Sequence, residues 1–404
     1  MKPRSATWRP VAGGVTAARG YQASGVAAGI KKEGPDLAVV FSTLPALGAA
    51  LFTRNRVIAA PVIVSRKHLR RSRGRIRAVL LNSGCANACT GARGVRNAVA
   101  SARALASRLG IDPYSVLVCS TGVIGAQLPI ARLVRAVPRA ISELSPAGGA
   151  SASRAILTTD TRAKSAAFEA EIAGRTVRIG GMVKGSGMIH PQMATMLAVI
   201  TTDAALARAA LEAALRRVVE RTFNCLTIDG DTSTNDTVVV LANGASGLQV
   251  GAGASVFEAG LELVCAQLAR SVARDGEGAT KFLEIVVRGA PSFEEARTVA
   301  KAIAHSPLVK TAFYGEELNW GRILCAAGYS GVSFDPDRIT LDVCGVPVFR
   351  RGAAVTRTRA RAEAALRKRD LEVRLDLARG PASARVWTCD LSHGYVDING
   401  SYIS

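Results

Sequence analysis

Gly185-Ser-Gly-Met-Ile-His-Pro-Gln-Met-Ala-Thr195 runs directly into Met196-Leu-Ala-Val-Ile-Thr-Thr-Asp203. A glycine-rich, proline-bearing loop ends at the small pair Ala194-Thr195, and an apolar run begins at once. That order suits a self-cleaving precursor. The Thr195 hydroxyl has to reach back to the carbonyl of Ala194, and glycines with a small residue before the threonine let the backbone bend that far without a Cβ clash. After an N→O acyl shift and hydrolysis, Thr195 becomes a new N-terminus. It then carries a hydroxyl nucleophile and, on the same residue, a free α-amine as base. Such an amine titrates near pH ~8, so a useful fraction is neutral at cellular pH. The same residues also suit a buried strand that starts after a tight loop, and the segment alone does not choose between the two.

Around this loop, apolar strands alternate with amphipathic helices. Length and β-branched content predict strands at Leu37–Phe41, Val57–Val64, Ala78–Leu81, Val116–Cys119, Leu197–Ile200, Val238–Leu241 and Phe282–Val287. Ala166–Ile172 and Arg175–Ile179 alternate about an Ala-Gly pair and read as a hairpin. Helices are predicted over Asn97–Leu109, Pro129–Leu144, Ala204–Thr222, Val256–Arg274 and Phe293–Ala304. Asp203 and Ser255 are candidate N-caps, and Ser292 with Glu295 forms a candidate capping box. Paired strands and paired helices in this arrangement suit a layered α/β fold in which helices cover sheets.

The composition narrows the function classes. The 404 residues can bury a large core. No apolar run approaches the ~20 residues of a membrane span, and the start Met1-Lys-Pro-Arg-Ser-Ala-Thr-Trp lacks a hydrophobic segment, so a cytoplasmic location is expected. The eight cysteines are scattered through apolar segments and read as small buried thiols. Cys85 and Cys89 have no second ligand pair nearby, and the four histidines fit no zinc spacing, so no metal is expected. A net charge of +21 is concentrated in Arg66–Arg77 and Arg350–Arg369. Neither cluster is interleaved with aromatics and no nucleic-acid-binding motif accompanies them, so the expected reading is a solvated basic surface rather than a nucleic-acid interface.

Further motifs follow in order: Asn82-Ser-Gly-Cys-Ala-Asn-Ala-Cys-Thr-Gly91, Ser120-Thr-Gly-Val-Ile-Gly125, Phe223-Asn-Cys-Leu-Thr-Ile-Asp-Gly-Asp-Thr-Ser-Thr-Asn-Asp-Thr237, Asp275-Gly-Glu-Gly-Ala-Thr-Lys281, Ser306-Pro-Leu-Val-Lys-Thr311 and Asn319-Trp-Gly-Arg-Ile323. With Lys184–Leu197, they make the chain resemble the ornithine acetyltransferase (glutamate N-acetyltransferase) family of arginine biosynthesis from about Val15 to Ser404. The resemblance implies an αββα-type sandwich formed jointly by two chains, 1–194 and 195–404, that stay associated after cleavage, with two such pairs making an α2β2 assembly. It implies ping-pong transfer of an acetyl group from N2-acetyl-ornithine to glutamate through acetyl-Thr195, without a cofactor. Acetyl-CoA is a further candidate donor. Thr121 and Gly122 match the oxyanion-hole positions. Thr161, Lys184, Thr195, Glu277, Asn399 and Ser404 match substrate-binding positions: a lysine suits a carboxylate, and a glutamate suits an ammonium.

Other residues are expected to be structural. Asp229–Asp236 lacks the glycine and final glutamate of a calcium loop and reads as a hydrogen-bonded brace. Gly181–Gly187 is not a phosphate-binding loop. His190 reads as loop scaffolding, because the nucleophile brings its own amine. Cys85 departs from the family, which usually places an asparagine there, and Ser404 stands where threonine is common. The alternative function is a related self-processing amidase or aminopeptidase in which water resolves the acyl-enzyme.

Overall fold

The computed structural model describes residues 7–190, 196–251 and 254–401. Leu197–Thr202 and Thr237–Ala242 run parallel, Thr237 opposite Leu197, in the interior of a six-stranded sheet. Every residue of both strands is buried, which explains the apolar runs 197–200 and 238–242 within them: a strand covered on both faces needs no polar alternation. The sheet runs in the order Arg9–Pro10, Lys164–Ile172, Arg175–Lys184, Leu197–Thr202, Thr237–Ala242, Leu47–Phe52. Arg175–Lys184 and Leu197–Thr202 are antiparallel neighbours, with Lys184 opposite Leu197. The glycine-rich loop therefore joins two strands that are already hydrogen-bonded to each other.

A four-stranded sheet, Tyr21–Val26, Leu37–Ser42, Ala78–Asn82 and Val116–Ser120, lies face to face with the first. Leu197, Val199, Val239 and Leu241 share one core with Val40, Val79, Leu81 and Leu117. Helices Arg208–Arg221 and Ala254–Arg274 cover the outer face of the first sheet. Helices Ala60–Arg71, Gly91–Leu109 and Ile130–Ser142 lie against the smaller sheet. The order helix, sheet, sheet, helix is the layered arrangement that the resemblance implied.

A third sheet departs from that expectation. Ala353–Ala354, Val346–Arg350, Thr340–Val343, Asp370–Asp376, Phe282–Ala290 and Ala382–Cys389 form six further strands, packed by helix Phe293–His305 and sharing the largest core with Ala254–Arg274. Val57–Val64 was expected as a strand, but the helix Ala60–Arg71 occupies most of it. Its β-branched residues favour extended chain, yet Pro61 in the first turn has a φ preset for a helix start. Ser292 accepts a hydrogen bond from the Glu295 amide as predicted. Asp203 does not cap a helix; it accepts the Arg178 amide at 2.8 Å, and the helix begins at Arg208. Ser255 lies inside the helix that starts at Ala254. Among the described residues no helix is long and apolar enough to cross a membrane.

Candidate active site

Thr121, Gly122, Lys184, Glu277 and Asn399 line one cavity of about 90 Å³, and Met196 and Leu197 form part of its wall. Residues placed by four separate stretches of sequence thus converge on the first described residues after the predicted cut. Ala194, Thr195 and Ser404 lie outside the described residues. Thr161 is not in the lining: its amide donates to Asp275 Oδ2 at 3.1 Å and its hydroxyl donates to Asp275 Oδ1. Thr158 and Thr159 of the same turn line the cavity instead.

The turn bearing Thr121 and Gly122 leaves the strand Val116–Ser120 and is held from two sides. Thr121 N donates to Asn82 O at 2.9 Å. Asn235 Nδ2 donates to Ser120 O at 2.8 Å and to Ala86 O at 2.6 Å, so a residue beyond the predicted cut braces the turn before it. Gly122 has φ +126°, and a Cβ there would stand 2.3 Å from the Gly84 carbonyl carbon. No side chain fits. Among the described residues the Gly122 amide has no acceptor, as an oxyanion donor requires. Cys85 packs beneath this turn, 3% exposed, with a 3.4 Å thiol contact to Ala126 O. Burial pushes that thiol up, against the pull of the Asn87 amide.

Lys184 ends its strand, and Gly185 N donates to Asp160 Oδ1 at 2.8 Å. Burial alone would raise the Asp160 carboxyl, but Lys184 and Lys164 outweigh it and hold it below the usual carboxylate range. Glu277 is buried, donates its amide to Ser186 O at 2.8 Å, and accepts Asn399 Nδ2 at 2.8 Å. A Cβ on Gly187 would lie 2.2 Å from Glu277 Oε2, so that glycine makes room for the carboxylate. Among the described residues the cavity lining therefore offers one cation, one carboxylate and a small-residue turn.

The loop before the undescribed residues 191–195 is firmly braced. Asp229 accepts the Met188 amide at 2.6 Å and the Ile189 amide at 2.9 Å. His190 Nδ1 lies 3.0 Å from Thr227 Oγ1, and Thr232 Oγ1 donates to His190 O at 2.9 Å. Burial, then Lys301 and His305, lower the His190 pKa to about 4. A neutral, hydrogen-bonded imidazole fits scaffolding. Asp160 and Asn235 escaped sequence reasoning as site residues. Asn235 lies within the Phe223–Thr237 motif and Asp160 stands one residue before Thr161, but their work is to satisfy backbone groups, which leaves no pattern of its own. Among the described residues no group of three or more His, Cys, Asp or Glu could hold a metal ion.

Residues 22–404 match the ArgJ family. The arginine biosynthesis bifunctional protein ArgJ of Symbiobacterium thermophilum is 49% identical over 399 residues, covering 97% of this chain and 99% of that protein. The protein of the same name from Thermosynechococcus vestitus is 46% identical over 415 residues, covering 98% and 99%. The crystal structure of ornithine acetyltransferase complexed with ornithine from Mycobacterium tuberculosis is 44% identical, covers 46% of this chain and 100% of that chain, and superposes with a TM-score of 0.43.

Proposed function

The chain belongs to the ArgJ family, and from that premise we propose how it acts as an acetyltransferase of arginine biosynthesis. Thr195 Oγ attacks the acetyl carbon of N2-acetyl-ornithine while the α-amine of Thr195 takes the hydroxyl proton. The C–N bond breaks, ornithine leaves with that proton, and acetyl-Thr195 remains. The amine of glutamate then attacks the ester carbon, releasing N-acetylglutamate and returning the proton to Thr195 Oγ. Thr121 and Gly122 hold the oxyanion in both halves.

The observation that carries this reading is the convergence of Thr121, Gly122, Lys184, Glu277 and Asn399 on one cavity beside Met196. Lys184 takes a substrate carboxylate, and Glu277, oriented by Asn399, takes an ammonium. Thr161 contributes through Asp275 rather than by lining the cavity, and Ser404, outside the described residues, is a further substrate contact on this reading. Self-cleavage after Ala194 yields chains 1–194 and 195–404. The ladder between Arg175–Lys184 and Leu197–Thr202 supports their lasting association, because it crosses the cut; two pairs form α2β2. The relatives are named bifunctional, which supports a second activity with acetyl-CoA as donor.

Thr195→Ala tests the assignment. The variant should stay one full-length chain and transfer no acetyl group from N2-acetyl-ornithine to glutamate. Processing and transfer at parental rates would remove Thr195 from both roles. Acetate release by the parent at an equal rate without glutamate would favour the amidase alternative.

A further inference from the structure

Lys164 begins the strand Lys164–Ile172, stands opposite Val183, and has a side chain wholly shielded from solvent. Its ammonium lies 2.5 Å from Asp160 Oδ1 and 2.6 Å from Asp275 Oδ2, both carboxylates themselves buried. An isolated charge at such a depth would be prohibitively costly. Here one cation serves two anions, and the excess negative charge is met by Arg162, 3.4 Å from Asp275, and by the field of Lys184 on Asp160.

Each carboxylate also reaches outward to a different segment of the site. Asp160 accepts the amides of Gly185 at 2.8 Å and Thr158 at 3.2 Å. Asp275 accepts the amide of Thr161 at 3.1 Å. Lys184 directly precedes Gly185, and Glu277 follows two residues after Asp275. The Glu277 amide then closes the ring onto Ser186 O. Three segments that are distant in sequence meet at one ammonium, and two of them carry the oppositely charged groups of the cavity.

We propose that Lys164 is a positioning residue that sets the separation between Lys184 and Glu277, and so makes the site selective for the distance between a substrate's carboxylate and its ammonium. The inference rests on the functional reading above. N2-acetyl-ornithine presents those two charges at one spacing, and N2-acetyl-lysine presents them one methylene farther apart. A rigid pair of opposite charges discriminates between the two; a loosened pair discriminates less.

The test compares kcat/KM for N2-acetyl-ornithine and N2-acetyl-lysine, with glutamate as acceptor, in the processed parent and two variants. Lys164→Met/Asp160→Asn/Asp275→Asn replaces the buried ions with neutral groups of similar shape. Asp160→Asn alone can keep the oxygen that accepts the Gly185 amide while giving up the one that accepts from Thr158; it is the gentler change, read if the triple variant does not fold. The expected result is a preference for the ornithine substrate that falls about tenfold in the triple variant, on the scale of one methylene. It should fall less in Asp160→Asn, with KM rising more than kcat drops. A lower melting temperature with an unchanged preference and unchanged KM would overturn the inference and leave Lys164 purely structural. If the parent itself moves no acetyl group from N2-acetyl-ornithine to glutamate, the functional reading fails and takes the inference with it.

Discussion

Asp236 is buried one residue ahead of Thr237, whose amide donates to Met196 O at 2.9 Å, and one of its carboxyl oxygens has no partner among the described residues. Burial pushes its pKa well above the usual carboxylate range, against the opposing pull of Ser233 and Lys184. The folded protein thus holds a proton that the unfolded chain gives up above about pH 4. Native proton binding exceeds unfolded binding over that window, so this group's contribution to stability is present below about pH 4 and is lost as pH rises toward the raised folded pKa. Asp236→Asn keeps the shape and removes the titration. Its melting temperature should gain on the parent as pH goes from about 5 to about 8; a difference that stays constant would mean that Asp236 is ionised in the fold. At this scale the sequence was readable where a side chain faces the cavity, as with Lys184 and Glu277. It was opaque where a side chain supports another group: nothing in Thr158-Thr-Asp-Thr161 says that Asp160 takes the Gly185 amide, or that Thr161 turns its hydroxyl to Asp275.

The turn Ser120–Gly125 is shaped by contacts that only a glycine permits. Gly122→Ala places a methyl group against the Gly84 backbone at a φ that L-residues rarely adopt. Displacement of the turn should lower kcat by about 10²–10³, the typical loss for one oxyanion donor, measured in steady state on processed protein. Unchanged turnover would separate this turn from the chemistry. Elements buried on both faces were legible: the strands Leu197–Thr202, Thr237–Ala242 and Val116–Ser120 carry the apolar runs 197–200, 238–242 and 116–119. In the third sheet Phe282–Val287, buried along most of its length, was read as a strand, whereas Thr340–Val343, Val346–Arg350 and Asp370–Asp376 mix buried and partly exposed positions and were not. Asp370-Leu-Glu-Val-Arg-Leu-Asp376 alternates at every position, with Leu371, Val373 and Leu375 buried, but it directly follows the Arg350–Arg369 cluster and no strand was predicted there. Val57–Val64 misled in the opposite sense, since packing against the small sheet chose helix over local β preference.

Across the molecule, the two predicted chains are interleaved rather than side by side. The central sheet takes strands from both sides of the predicted cut, Lys184 pairs with Leu197, and Asn235 bridges to Ser120 and Ala86. Cleavage between Ala194 and Thr195 would break one covalent bond in a connection that the sheet already spans, so it frees an amine without dismantling the layers. The basic clusters follow the same economy of surface: Arg77 lies over Phe41 at 5.1 Å, and Arg350 pairs with Asp342, so part of the +21 charge serves packing. The central claim is that Thr195 is both the product of this cleavage and the carrier of the acetyl group. Denaturing intact-mass spectrometry of the purified protein, with and without brief exposure to N2-acetyl-ornithine, tests both parts at once. The account predicts two fragments divided at Ala194/Thr195, the second gaining one acetyl group. A single unmodified full-length chain under both conditions would contradict it.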